Sequence, residues 1–238
     1  MWNFDPSWPA SANEMTLAAQ LLACTSYIRS LWSASDEEHQ WRRDEVEDAL
    51  AQLARQEEVA LPPTLRDLAR RLANIQQLPR GAAEALLLRI EEEAKRALLA
   101  DLAEAPSTAK EYVDRRASLE ELPWLGSHAR GIPRGWVPLF EKTAQLLQKD
   151  SRGAPDEARQ TEDLKEKYGT LRWDVLGDPL FYQLAFLAEE MSEHCCLACG
   201  QRGRVDDAHG ILLTLCDEHA RLRAEAPRQL SDLMYEEK

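Results

Sequence analysis

Two short cysteine and histidine pairs, CLAC at 196–199 and CDEH at 216–219, constrain this chain more than any other part of it. Each CxxC or CxxH pair brings two donors off one tight turn, and two such pairs at this distance form the ligand set of a tetrahedral zinc ion. Cys196, Cys199, Cys216 and His219 are therefore expected to hold Zn2+. Three thiolates and one imidazole close the coordination sphere and leave no position for substrate or an activated water. The expected role of the metal is structural, with no catalytic residues at this site. Gly200 follows the first pair, where a knuckle turn needs a residue free to take positive φ. The apolar run 211–215 reads as a short strand delivering Cys216, and 217–223 reads as a helix. Knuckle, strand and helix make a small treble-clef or ribbon-like unit. Cys195, His194 and His209 are near enough in sequence to replace one ligand, and the competing reading is a disulfide or a set of buried thiols.

The same arrangement invites comparison with HNH nucleases, which build on a treble clef. Here VDDAHG would supply His209, with Asp206 or Asp207 beside it. The stretch from His209 to Cys216 is too short for the usual intervening hairpin, and no further histidine completes a catalytic set. His209 is expected to be a loop residue.

The 238 residues suffice for one large domain or two small ones. No apolar run approaches the roughly 20 residues that span a bilayer, and MWNFDPSWPA lacks the basic flank and apolar stretch of a secretory signal. A cytoplasmic setting follows as the expectation, consistent with thiolates free to bind metal. With 29 basic and 42 acidic residues the net charge is −13. That balance argues against extended nucleic-acid binding, which takes clustered Lys and Arg. It suits solubility and electrostatic steering toward a basic partner. There is no P-loop, GxGxxG, GxSxG or HExxH.

Residues 1–122 read as consecutive helices. Ser11 with Glu14, and Ser35 with Glu38, have capping-box spacing. Leu17, Leu21, Leu22, Ile28 and Leu31 recur near helical period, as do Val46, Leu50 and Leu53, then Leu65, Leu68, Leu72 and Ile75. Pro62, Pro63, Pro79 and Gly81 punctuate. The stretch 81–104 is rich in helix formers, and a last short helix is expected around 107–117. Cys24 reads as a small buried hydrophobe. Proline, glycine and tryptophan cluster next, so 123–130 reads as a linker, with Trp124 and Trp136 packing the region down. A helix over 139–149 follows, then a polar loop over 150–162. Leu171, Trp173 and Val175 alternate with Arg172 and Asp174, the signature of a half-buried strand. Asp178 and Pro179 read as N-cap and first helical residue of a helix reaching about 192. The expected architecture is a mainly α region, 1–122, followed by a small α+β domain, 131–238, carrying the zinc knuckle.

Taken together, Gly135-Trp136, KEKYGTLRW at 165–173, CLACG at 196–200 and TLCDEH at 214–219 resemble a group of small bacterial and phage proteins. Their pattern is "GW … KEKFGxLRFY … CxxCG … TLCxxH", and the resemblance covers roughly 131–221. Tyr168 stands where the pattern has Phe, and Trp173 replaces its other aromatic; both keep a large ring. Some such proteins are similar to immunity proteins encoded beside secreted toxins, including type VI secretion effectors. What the resemblance implies is a cytoplasmic, non-enzymatic protein that occludes a cognate toxin with a basic surface, such as a nuclease.

The remaining charged groups read more simply. Lys165, Glu166 and Lys167 alternate along an expected helix end as a solvated face. Arg172 lies between aromatics, where it can hold a carboxylate or stack on Trp173. The acidic groups at 36–38, 44–48 and 91–93 read as exposed helix faces, and as the contact surface if the partner is a basic toxin. A zinc-containing nucleic-acid-binding or regulatory protein is the alternative, drawing on Arg202, Arg204, Arg221, Arg223 and Arg228.

Overall fold

The computed structural model describes residues 78–100, 102–149 and 158–235, together with Thr25, Asp67 and Arg71. The capping boxes at Ser11 and Ser35, the helices expected between them and Pro79, Cys24, and the acidic groups at 36–38 and 44–48 lie outside these residues. The chain divides into two compact units, Met1–Ala100 and Asp101–Lys238. Among the described residues no helix is long and apolar enough to cross a membrane.

In the first unit, α1 (Arg80–Ala100) begins one residue ahead of Gly81. Ala83, Leu86, Leu87, Ile90 and Ala94 are buried at helical spacing and make one apolar stripe. The acidic run 91–93 does not form the exposed face expected of it. Glu91 is buried, Glu92 exposed and Glu93 between the two, because a 3.6-residue period turns successive side chains about 100° apart.

The second unit combines helices with two small antiparallel sheets. Helix α2 (Ala109–Glu120) starts at the N-cap Thr108, whose Oγ1 accepts the Glu111 N–H, while Glu111 accepts the N–H of Ser107 one residue earlier. It is tied to α3 (Val137–Lys149) by Arg115, whose guanidinium donates to both carboxylate oxygens of Glu141 at 2.8 and 2.6 Å. Between these helices, 3-10 turns at Gly126–Gly131 and Arg134–Trp136 carry the chain. The stretch 123–130, which composition marks as a linker, lies inside this unit, with Trp124 and Leu125 buried. Both tryptophans do pack the region down: Trp124 is 2% exposed and Trp136 fully buried.

Strands β1 (Gln160–Lys167) and β2 (Thr170–Leu176) form a hairpin. The alternation expected of β2 is present, with Leu171, Trp173 and Val175 inward and Arg172, Asp174 and Leu176 outward. β1 replaces both the end of the expected loop and the expected helix end at 165–167. Its charges sit at strand spacing, so Lys165 meets Asp163 two residues away on the same face. Tyr168 and Gly169 turn the hairpin with φ of 59° and 81°, the two positive values that a type I′ turn demands. Helix α4 (Pro179–Ser192) begins as the sequence indicates, with Asp178 accepting the Phe181 N–H and Pro179 in the first turn. Asp178 also takes Nε–H of the buried Arg159 at 2.6 Å.

Trp173 is the centre of the core. Its ring lies 5.7 Å from Trp124, 4.9 Å from Phe140 and 5.7 Å from Phe181, which joins the 3-10 region, α3, β2 and α4. Its indole N–H donates to Thr161 across the hairpin. The open edge of β2 is closed by α4, where Ser192 accepts the Leu171 N–H and Glu189 the Trp173 N–H. After α4 come β3 (Arg204–Asp206), β4 (Leu213–Leu215), α5 (Asp217–Glu225) and α6 (Pro227–Tyr235). The strand expected over 211–215 is confined to its last three residues.

Candidate metal centre

The turn after α4 places the first cysteine pair. Cys196 N–H donates to Gln201 O, Gly200 N–H returns to Cys196 O, and Cys195 bridges Arg202 across the turn. Gly200 sits at φ 70°, as a knuckle requires. β4 is fixed beside this turn by the Leu197 N–H bond to Thr214 O, and it delivers Cys216 to the N-cap of α5. His219 follows on the first turn of that helix.

This brings the four sequence-indicated residues together, with all four donor atoms within 4.8 Å of one another. Cys199 Sγ and Cys216 Sγ are 3.8 Å apart, Cys196 Sγ and His219 Nδ1 3.6 Å, and Cys216 Sγ and His219 Nδ1 3.1 Å. Donors around one tetrahedral ion with bonds of about 2.0–2.3 Å stand about 3.5–3.8 Å apart, so the cluster fits a four-coordinate metal with a small adjustment at the Cys216–His219 edge. The cysteines are free thiols. Cys196 is fully buried, His219 is 8% exposed, and Cys199 and Cys216 are half-buried.

The electrostatics favour thiolate at Cys196. Cys196 is pulled down to about 3 by the hydrogen bond from Cys199, then by those from His219 and from the Cys216 and Ala198 N–H groups. Cys199 is raised for the mirrored reason, since the two sulfurs share a proton that Cys199 keeps. His219 is raised to about 9, chiefly by its bond to the Cys196 sulfur. A metal ion replaces these protons with its own positive charge.

Cys195 is not part of the cluster. It is fully buried, its thiol donates toward the Gly135 and Gly200 carbonyls at 3.3 Å, and burial pushes its pKa up. His194 contributes its carbonyl, to Gly203 N–H. His209 falls in the 3-10 turn Ala208–Gly210, and Asp206 is held by Arg223 at 2.7 Å. Arg223 is 4% exposed and also donates to Asp206 O and Ile211 O, which clamps the β3–β4 connection. Arg223 therefore does not add to a basic surface, whereas Arg204 is exposed and meets the equally exposed Asp217.

Two glycines position the centre in a way the sequence does not announce. A Cβ on Gly135 would lie 1.9 Å from Cys196 O and 2.7 Å from Gly200 N, and the Gly135 N–H donates to Leu197 O. A Cβ on Gly169 would lie 2.7 Å from Thr214 N, so the β1–β2 turn rests on β4. The segments GW, KYGT, CLACG and TLC thus meet backbone to backbone around the cluster. A signal was present in the GW and YG pairs, but only the close approaches give those glycines a reason.

A scan against protein-family models, a search of curated proteins and a search of solved structures each return no match.

Proposed function

We propose that this chain is a non-enzymatic cytoplasmic immunity protein that binds and occludes a cognate bacterial toxin, with a structural Zn2+ holding its C-terminal region. The observation that carries the metal assignment is the closed Cys196–Cys199–Cys216–His219 cluster. Three thiolates with one imidazole select zinc among the common divalent ions, and all four positions are filled by protein. Knuckle, short hairpin and helix then make a treble-clef-like unit, and the metal acts as a staple. The reading of the N-terminal region as mainly α belongs to the same proposal.

The binding role draws on the motif resemblance over 131–221 and on the net charge of −13. An acidic protein docking over a basic substrate cleft gains a fast electrostatically steered encounter. The nucleic-acid alternative loses support from Arg223, which is buried and held by Asp206. The experiment is co-expression with a secreted toxin encoded next to this gene, with association measured across a salt series. The expected result is rescue of growth and an on-rate that falls with ionic strength. Growth arrest despite co-expression would remove the immunity reading. A salt-insensitive rate would remove its electrostatic part.

A further inference from the structure

Arg134 stands between Pro133 and the Gly135 that abuts the first knuckle, and it is 5% exposed. Its guanidinium lies over the Tyr112 ring, 5.4 Å from the centroid. The second guanidinium on that ring, Arg116 at 5.2 Å, has Glu120 3.7 Å away. Arg134 has no such carboxylate among the described residues. Glu111, the acid whose field reaches it, already accepts from Ser107 and Arg115. The Tyr112 hydroxyl donates to Ile132 O. Nε of Arg134 is sealed from solvent with nothing to accept its proton. It is the only nitrogen of this side chain so sealed, which leaves the terminal N–H groups as the part that meets solvent. Burial disfavours the charged form, yet a guanidinium stays protonated under any ordinary condition.

A buried cation without a counter-charge is costly unless an anion accepts its protons. We propose that Arg134 is the receptor of an oxyanion site, taking a phosphate or carboxylate group in the planar fork of its guanidinium against the Tyr112 ring. The fork presents parallel N–H groups that match two oxygens of one such group, and an ammonium does not. Helix α6 packs against the 3-10 turn that carries Arg134. The site is independent of the metal reading, because none of its residues belongs to the cluster.

The test uses the full chain with its metal and follows the arginine Nε–H resonances by NMR. Inorganic phosphate and acetate are titrated at constant ionic strength, with chloride as the matched control. The Arg134 resonance, assigned through Gly135, should shift saturably with phosphate or acetate and stay fixed with chloride. Arg134→Lys, followed through the Gly135 amide because it lacks the Nε–H, keeps the charge and should weaken binding about tenfold or more through loss of the fork. The wild-type titration decides the matter even if that variant fails to fold. No saturable shift at Arg134, a shift centred on another arginine, or an unchanged midpoint in Arg134→Lys would overturn the site.

Discussion

Trp173 and Cys196 are the centres of two halves of the 101–238 unit, and they are surrounded by different chemistry. Around Trp173 are three aromatic rings, a seven-residue strand and two long helices. Around Cys196 are two three-residue strands, tight turns and a nine-residue helix, with backbone amides aimed at sulfur. The first half is held by burial of the apolar side chains around Trp173. The second places Val205, Ile211 and Leu212 at its surface, and short strands alone do not make a stable sheet. On the proposed metal reading, what fixes the second half is the four-residue cluster together with the contact of Gly135 on the knuckle.

Metal removal should expose that difference most strongly. Structural zinc contributes roughly 10–16 kcal/mol of apparent binding free energy in small domains. Chelation should therefore release amide protection throughout 195–225 while amides of β1, β2 and α4 stay protected. Hydrogen exchange read by mass spectrometry measures both at once. Uniform loss across the unit would show that the halves are one cooperative structure.

Gly135→Ala tests the joint between the halves. A methyl group 1.9 Å from a carbonyl oxygen has no side chain to push aside, so backbone must move. We expect a loss of about 4 kcal/mol or more, in the range reserved for gross steric conflict, together with weaker metal retention. Gly131→Ala is the control, since its Cβ meets nothing within 4 Å. Thermal melts of the metal-loaded proteins, with metal content measured alongside, separate the two variants. Trp173→Ala acts on the other side: removal of the central ring should cost about 3–5 kcal/mol and leave metal stoichiometry at the wild-type value.

The legibility of these halves in the sequence was also unequal. The cluster was readable because CxxC and CxxH carry the fixed spacing that a tetrahedral metal asks of its ligands, and β2 because Leu171, Trp173 and Val175 alternate cleanly. Asp178 and Pro179 announced α4 through local backbone chemistry. β1 was not readable: QTEDLKEK holds one large apolar residue, Leu164, and its charges suit a helix face equally well. Pairing with β2 decides its conformation, and that is tertiary information. The supposed linker at 123–130 misled because proline and glycine there serve packed 3-10 turns around Trp124 and Leu125. Gly135 and Gly169 carry contacts with segments more than 40 residues away, which no local pattern encodes.

The smallest predicted effect concerns the seal on β2. Glu189 accepts the Trp173 N–H at 2.7 Å. Its pKa is raised, chiefly by burial, with Asp174 and Glu190 acting in the same direction; the Trp173 N–H and Arg172 oppose them. With the folded pKa above the ordinary 4.5, the folded state binds the proton more tightly than the unfolded one. Stability from this group is then fully present below the unfolded value and falls as pH rises through the folded value. Glu189→Gln keeps an oxygen for the Trp173 N–H and removes the titration. The variant should match the wild type in acid and become the more stable of the two toward neutral pH, measured by urea unfolding across that range. A variant less stable at neutral pH, with the gap closing in acid, would mean that attraction to Arg172 outweighs burial at this edge.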